Sequence, residues 1–377
     1  MTNIIAPDDP ALEALQEAIK YNNSLHVNLE IVPWKDYQNT LMSALESEIS
    51  SKQAVFIPGH IWLPSLANKG YISDLNLLFN LADESLKDNY KIEDLIPIIK
   101  SESTFKGSLY QLPFFSDGHI IYYKDEIFDS KESVPEFSVK QIYQIAKDNN
   151  NPPKSFGISL KADKSEIFTD FLPYLWEFDG VIFDKNLNPL LNHPNNIEAL
   201  EFYCSLREFA PLKTENYGNE EIANSLIKSE SAVITTWGGQ SAPLFLRHNI
   251  KYKAATFKKP WNATWGAAIP QNQPEQTKIE TLNTLLELFS KNTDRLVTKI
   301  AGSPVRQSSY TKEEFEKYPW LQAQYEMLKR AKPLPGEPKL GEFLGLLYEY
   351  VHKAFIKELS PKEALDEVQR LSQDLVE

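Results

Sequence analysis

FKGSLYQLPFFSDGHIIYYKDEIF, residues 105–128, decides how the rest of the chain is to be read. The pattern predicts strand, bend and strand. Leu109 to Leu112 is a short apolar run that Pro113 should stop, because proline has no N–H to give to a β-ladder. A second strand is expected from Ile120 to Tyr123. Between them stand Phe114, Phe115, Ser116, Asp117 and Gly118, and Gly118 is read as allowing a backbone angle that other residues resist. Aromatic rings and one carboxylate gathered at a bend between strands predict a hinge beside a binding site, with the rings lining a cleft.

A chain of 377 residues exceeds one ordinary core, so two lobes are the expectation. Its 42% apolar and 24% charged residues are those of a globular protein, and a formal charge of -13 argues against nucleic acid, which needs basic patches. No stretch approaches the roughly twenty apolar residues that cross a bilayer. The opening MTNIIAPDDP has neither a charged n-region nor an apolar h-region, so an export signal is absent from this stretch. The single cysteine, Cys204, excludes an internal disulfide and a multi-cysteine metal site, and its apolar neighbours predict a buried, inert thiol. No metal or other cofactor is expected.

Outward from the bend, strand and helix alternate. Asn3 to Ala6, Val27 to Ile31 and Ala54 to Ile57 read as strands, while Leu12, Leu15 and Ile19, then Tyr37, Leu41, Ala44 and Leu45, recur at helical spacing. This order predicts a parallel, doubly wound sheet, in which ligands bind beyond the carboxyl ends of the strands. The loops to watch are therefore Pro33-Trp34 and Pro58-Gly59-His60-Ile61-Trp62. Further on, Phe156 to Leu160 and Ser231 to Thr235 read as strands, the latter running into Trp237-Gly238-Gly239. The segment 254–269, with Pro260, Trp261 and Trp265, fits a chain returning to the first lobe, and a third crossing is expected near Gly302 to Arg306. Ser360, Pro361 and Glu363 form a capping-box signature at the start of a closing helix.

The G-x-L-Y-x-L-P pattern of Gly107 to Pro113, the carboxylate turn at Asp117 and the strand ending Tyr122-Tyr123-Lys124 resemble the first interlobe crossing of bacterial extracellular solute-binding proteins of family 1, the group that includes maltose-binding proteins. LPSLANKGYISDL, SESAVITTWGGQSAPLF and ELSPKEALDEVQRLSQDL resemble further segments of that family, in the same order along the chain. Lys52-Gln53 departs from the family, which more often has Pro-Asp there. The resemblance implies an α/β, two-lobed, type II periplasmic-binding-protein-like fold, each lobe a sheet flanked by helices, joined by a multi-crossing hinge. The lobes are expected at 1–114 plus about 260–305, and 115–259 plus about 306–377, with crossings near 113–118, 255–261 and 303–308.

Saccharides offer apolar C–H faces and a rim of hydroxyls, so their binding sites combine aromatic rings with planar polar groups. Trp62, Trp237, Trp261 and Trp265 fall at expected loop positions, where packing in the core competes with lining a cleft. Trp34, Gly59 and His60 occupy strand-end loops, and Phe115 and Gly238 flank the bend and the Trp237 turn. Trp176 and Phe168 lie in a helical stretch that could simply be buried. Asp117 is either an Asx-turn residue or, as the resemblance implies, an acceptor for sugar hydroxyls. Glu166 is either a charge at a helix N-terminus or a second such acceptor. Tyr122 and Tyr123 also suggest a ferric site, but neighbours on a strand face opposite ways.

No G-x-S-x-G, H-E-x-x-H, P-loop or G-x-G-x-x-G occurs, and the six histidines show no metal-ligand spacing, so no enzyme is expected. The resemblance implies a carrier that holds an oligosaccharide or small saccharide between its lobes and delivers it to the permease of an ATP-binding-cassette importer. It also implies a place outside the cytoplasmic membrane, in the periplasm or as a cell-surface lipoprotein. Nothing in the sequence suggests an oligomer. The alternatives are a carbohydrate-active enzyme with Asp117 and Glu166 as a carboxylate pair, or a carrier of polyamine or ferric ion.

Overall fold

A computed structural model describes residues 1–22, 24–128 and 134–376. In chain order the strands of its two main sheets are β1 Thr2–Pro7, β2 Val27–Val32, β3 Ala54–Pro58, β4 Leu112–Asp117, β5 His119–Lys124, β6 Glu136–Phe137, β7 Phe156–Ser159, β8 Ser231–Trp237, β9 Tyr252–Phe257 and β10 Ala263–Ala268. The chain forms two compact units. One comprises Met1–Asp117, Ala263–Lys317 and Gly336–Pro338; the other comprises Gly118–Asn262, Tyr318–Pro335 and Lys339–Glu377.

The first unit is built on a five-stranded sheet of order β2-β1-β3-β10-β4. β1 is parallel to both β2 and β3, and β10 runs antiparallel between β3 and β4. Ile4, Ile5, Val55 and Phe56 are fully buried, as strands covered on both faces must be. The helix Ala11–Tyr21 buries Leu12, Leu15 and Ala18, and the helix Trp34–Glu46 buries Tyr37, Leu41, Ala44 and Leu45. Each fully buried leucine contributes about 1.5–3 kcal/mol of transfer free energy.

Pro113 does not end a strand as its chemistry suggested. It lies inside β4, which is the edge of the sheet, where a missing N–H costs no ladder bond on the open side. The register with β10 shifts there, Trp265 facing Phe115 and Gly266 facing Pro113, so a bulge takes up the irregularity. The role expected of Gly118 also differs. Its φ is not in the left-handed region; a Cβ there would stand 2.4 Å from the Trp261 carbonyl oxygen, so close approach of backbone requires the glycine.

The crossing expected near 303–308 falls instead at 317–318. The reason is the burial of Arg306 within the first unit, where its guanidinium donates to the Tyr90 and Phe289 carbonyls and lies 4.6 Å from the Tyr90 ring centroid. Asp294 holds the same loop, accepting from the Val305 N–H at 2.9 Å and from the Ser309 hydroxyl. Burial pushes the Asp294 carboxyl up to about 6 against the opposing effect of Arg306.

The second unit carries a sheet of order β6-β9-β5-β8-β7. β5 pairs antiparallel with β8 and β9, while β8 is parallel to β7. Tyr122 and Tyr123 of β5 are both fully buried and face apart, Tyr122 bonding to the Ser241 hydroxyl and Tyr123 packing against Phe137. Both serve the core. The closing helix Pro361–Val376 begins with the reciprocal cap read from its sequence, Ser360 N–H to Glu363 Oε2 and Glu363 N–H to Ser360 Oγ. Cys204 is half-buried, and burial pushes its thiol up to about 12.

Candidate functional site

In the first unit the parallel strands end beside the aromatic residues. Trp34 follows β2 by two positions and opens the helix Trp34–Glu46; Trp62 follows β3 by four and sits in the first turn of the helix Gly59–Asn68. Neither is a loop residue, contrary to the expectation. The first helical turn directly after a strand still projects a side chain over the carboxyl end of the sheet. Their indoles stack, centroids 5.8 Å apart and planes within 4°.

Tyr37 backs both rings, stacked at 6.4 Å from each, and is anchored by its hydroxyl, which donates to the Phe56 carbonyl at 2.5 Å. Burial raises that phenol well above its ordinary pKa. Trp265, within β10 instead of a loop, meets Trp34 and Trp62 edge-on at 5.8 and 6.3 Å. Its other neighbour is Phe115, stacked at 5.9 Å and fully buried, which makes Phe115 a support and not a surface. Trp34 is 47% exposed, so this cluster presents an aromatic face to solvent.

Gly59 begins its helix at φ +26°, and a Cβ there would lie 3.1 Å from the Glu102 and Thr264 carbonyl oxygens. His60 is turned to the Thr104 carbonyl, 3.2 Å from Nε2, and a Cβ at Gly336 would stand 3.2 Å from its Cε1. Asp117 ends β4 with 6% of its surface exposed.

In the second unit the counterpart forms around Trp237, the last residue of β8. β7 and β8 run parallel, so the residue two beyond β7, Lys161, arrives beside it, its Nζ 4.8 Å from the indole centroid. Glu166 stands at the N-cap of the helix Ile167–Glu177 but caps nothing with its side chain. Its Oε2 accepts the Trp237 indole N–H at 3.0 Å and lies 3.9 Å from Lys161 Nζ. His119, the cross-strand partner of Trp237 on β5, packs edge-on at 4.4 Å, and Trp261 does the same at 5.5 Å. Trp261 is fully buried and so belongs to the support of Trp237.

One helical turn after Glu166, Asp170 points the same way. Its Oδ1 accepts from Thr235 Oγ1 and its Oδ2 from the Tyr203 hydroxyl, both at 2.8 Å. His119 Nδ1 approaches Oδ1 to 3.2 Å without an aligned hydrogen bond. Burial, then the Asp170 charge, raise the Tyr203 phenol well above its ordinary pKa.

The remaining expected residues lie elsewhere or serve packing. Phe168 is buried against Tyr348. Trp176 is buried in its helix with Lys332 Nζ 3.9 Å from its ring centroid, and burial lowers that ammonium's pKa. At Gly238 a Cβ would meet Gln324 Oε1 at 2.0 Å, so the Gln324 side chain would have to move to admit one. Lys161 and Asp170 do not stand out in the sequence, and Tyr37 is legible there only as a helix-face residue. The available signal was Lys161, a lysine two residues after an apolar strand, followed by carboxylates at 166 and 170 on one helical face. Among the described residues no His, Cys, Asp or Glu cluster could hold a metal, and no helix is long and apolar enough to cross a membrane.

Residues 6–282 match the family model for bacterial extracellular solute-binding proteins. A mannitol-binding protein of Pseudomonas aeruginosa is 26% identical over 278 residues, which span 66% of this chain and 62% of that relative's length. Among solved structures, an ABC-transporter solute-binding protein of Agrobacterium radiobacter in complex with ribitol aligns over 99% of this chain and 98% of its own, with a TM-score of 0.85 and 20% identity. The maltose-bound MalE3 of T. maritima aligns over 100% and 99%, with a TM-score of 0.80 and 17% identity. These likenesses show a MalE-like, type II periplasmic-binding-protein fold.

Proposed function

The chain belongs to the bacterial extracellular solute-binding proteins, and on that footing we propose that it is the substrate-binding component of a saccharide or polyol importer. The observation that carries this reading is the stacked pair Trp34 and Trp62 with Trp265 across their edges, a solvent-facing aromatic surface at the carboxyl ends of parallel strands. Such a surface suits the apolar C–H face of a sugar, and polar groups at its margin suit the hydroxyls. In this reading each unit, taken by itself, offers a candidate sugar-facing ring: the stacked Trp34 and Trp62 in the first, and Trp237 in the second. Asp117 is the proposed hydroxyl acceptor of the first unit.

The names of the relatives, mannitol-binding and bound to ribitol or maltose, support this ligand class. The ligand is carried unchanged and handed to permease subunits outside the cytoplasmic membrane.

The test is a thermal-midpoint and tryptophan-fluorescence survey with mannitol, ribitol, maltose and maltotriose, with spermidine and ferric citrate as contrasts. A ligand that binds the folded state alone raises the midpoint by RT ln(1 + [L]/Kd). A rise with a polyol or saccharide, and recovery of that ligand intact by mass spectrometry, are expected. A response confined to spermidine or iron, or the appearance of hydrolysis products, would overturn the assignment.

A further inference from the structure

Lys161 is a lysine whose side chain is fully buried, which few lysines tolerate without compensation. Its ammonium lies 4.8 Å from the Trp237 ring centroid and 3.9 Å from Glu166 Oε2. The same Glu166 oxygen accepts the Trp237 indole N–H at 3.0 Å. Two charged groups therefore converge on one indole, one on its ring and one on its N–H. Each comes from a different element: Lys161 from the end of β7, Glu166 from the start of the helix Ile167–Glu177, and Trp237 from the end of β8. His119 and Trp261 close on the same ring edge-on.

We infer that Lys161 and Glu166 are positioning residues for Trp237, acting on a bound ligand through the orientation and electrostatics of that indole and not by touching the ligand. The inference rests on the saccharide-carrier reading for its effect on binding. The physical reasons are distinct for the two residues. A charge-assisted hydrogen bond to the indole N–H removes rotation about the side-chain torsions, so less ordering remains to be done when the ligand arrives. A desolvated ammonium close to an aromatic ring is attracted by the ring quadrupole and draws its electron density, which fixes the ring and alters its polarity. Glu166 is thereby partly neutralised by Lys161, so the pair orients the ring without leaving an isolated buried charge.

The first arm of the test needs no ligand. In the unliganded, nitrogen-15-labelled protein the Trp237 indole N–H resonance is assigned by its disappearance in Trp237→Phe. It is expected to exchange with solvent at least about tenfold more slowly than an exposed indole, and to shift and exchange faster in Glu166→Ala, with Glu166→Gln restoring most of the protection. Lys161→Met is expected to shift the same resonance. Exchange at the exposed rate in the wild type, or a resonance indifferent to Glu166→Ala and Lys161→Met, would overturn the inference. With the resonance assigned, exchange at the exposed rate in the wild type overturns the inference even if Glu166→Ala or Lys161→Met fails to fold.

The second arm is a double-mutant cycle with whichever of mannitol, ribitol, maltose or maltotriose binds. Glu166→Ala and Lys161→Met should each weaken binding about tenfold in the wild-type background and less than about twofold in Trp237→Phe. A loss that persists in Trp237→Phe would make Glu166 or Lys161 a direct ligand contact and overturn the inference. If none of the four binds the wild type, the saccharide reading fails, while the exchange arm still decides whether the two residues position the ring.

Discussion

Trp34 and Trp62 lie with their indole planes within 4° and their centroids 5.8 Å apart, although they are 28 positions apart in sequence. The stack exists because β2 and β3 lie on either side of β1, all three parallel, so that both chains leave the sheet at the same end. Trp34 is half-exposed, whereas Tyr37 beneath is fully buried.

Trp62 is less exposed than Trp34, and that difference predicts how the two tryptophans respond to truncation. Trp34→Ala should cost about 1–3 kcal/mol of saccharide binding with a small change in melting temperature, since the ring it removes is the solvent-facing one. Trp62→Ala should weaken binding similarly and also lower stability by about 1–3 kcal/mol, because it strips Trp34, Tyr37 and Trp265 of a shared neighbour. Isothermal titration with mannitol and maltose, alongside urea unfolding, checks both halves.

Asp170 is fully buried and accepts two hydroxyl hydrogen bonds, from Thr235 and Tyr203. Asp170→Ala leaves both donors without that acceptor and opens space beside His119. Urea unfolding should show a loss of about 3–5 kcal/mol. Tyr203→Phe removes a single partner and should cost about 1–2 kcal/mol.

Asp294 supplies a pH dependence whose sign is opposite to that of a surface salt bridge. Its folded-state pKa is raised, from an ordinary 3.8 to about 6, by burial. Between these values the folded protein binds more protons than the unfolded chain, so this group's contribution to stability falls as pH rises from about 4 to about 6 and then levels. In Asp294→Asn that component is absent. The stability of the wild type minus that of the variant should therefore drop by about 2 kcal/mol between pH 4 and pH 7, as read from urea midpoints.

Gly345 lies exposed within the helix Leu340–Phe355, and a Cβ there meets nothing within 4 Å. Gly345→Ala should raise stability by about 0.5–1 kcal/mol through the lower backbone entropy of alanine in the unfolded chain. A melting curve suffices to check it, and saccharide affinity should not change.

The alternation of apolar strand and amphipathic helix in the first 70 residues was enough to read a parallel sheet, because burial on both faces demands continuous apolar runs such as Ala54 to Ile57. The capping box at Ser360 was equally legible, since it depends only on neighbours three residues apart. Reading failed where the deciding contact is distant in sequence. Pro113 looked like a strand terminator until its strand proved to be a sheet edge, and the third crossing was placed too early because nothing near Arg306 announces the carbonyls of Tyr90 and Phe289.

The candidate site divides along the same line. The seven tryptophans and the carboxyl-end positions of Trp34 and Trp62 follow from residue order and strand polarity alone, and the ligand class proposed rests on them. Which ring faces solvent and which supports another was decided by tertiary structure. Trp261 and Trp265 are four residues apart and alike in local sequence, yet one is fully buried against His119 and Trp237 while the other stacks on Phe115. The role of Glu166 changed for the same reason: a carboxylate at a helix start has many possible partners, and only the pairing of β7 with β8 brings the Trp237 indole and the Lys161 ammonium to it. Local sequence sets the chemistry each residue can offer, and long-range strand pairing selects which partner receives it.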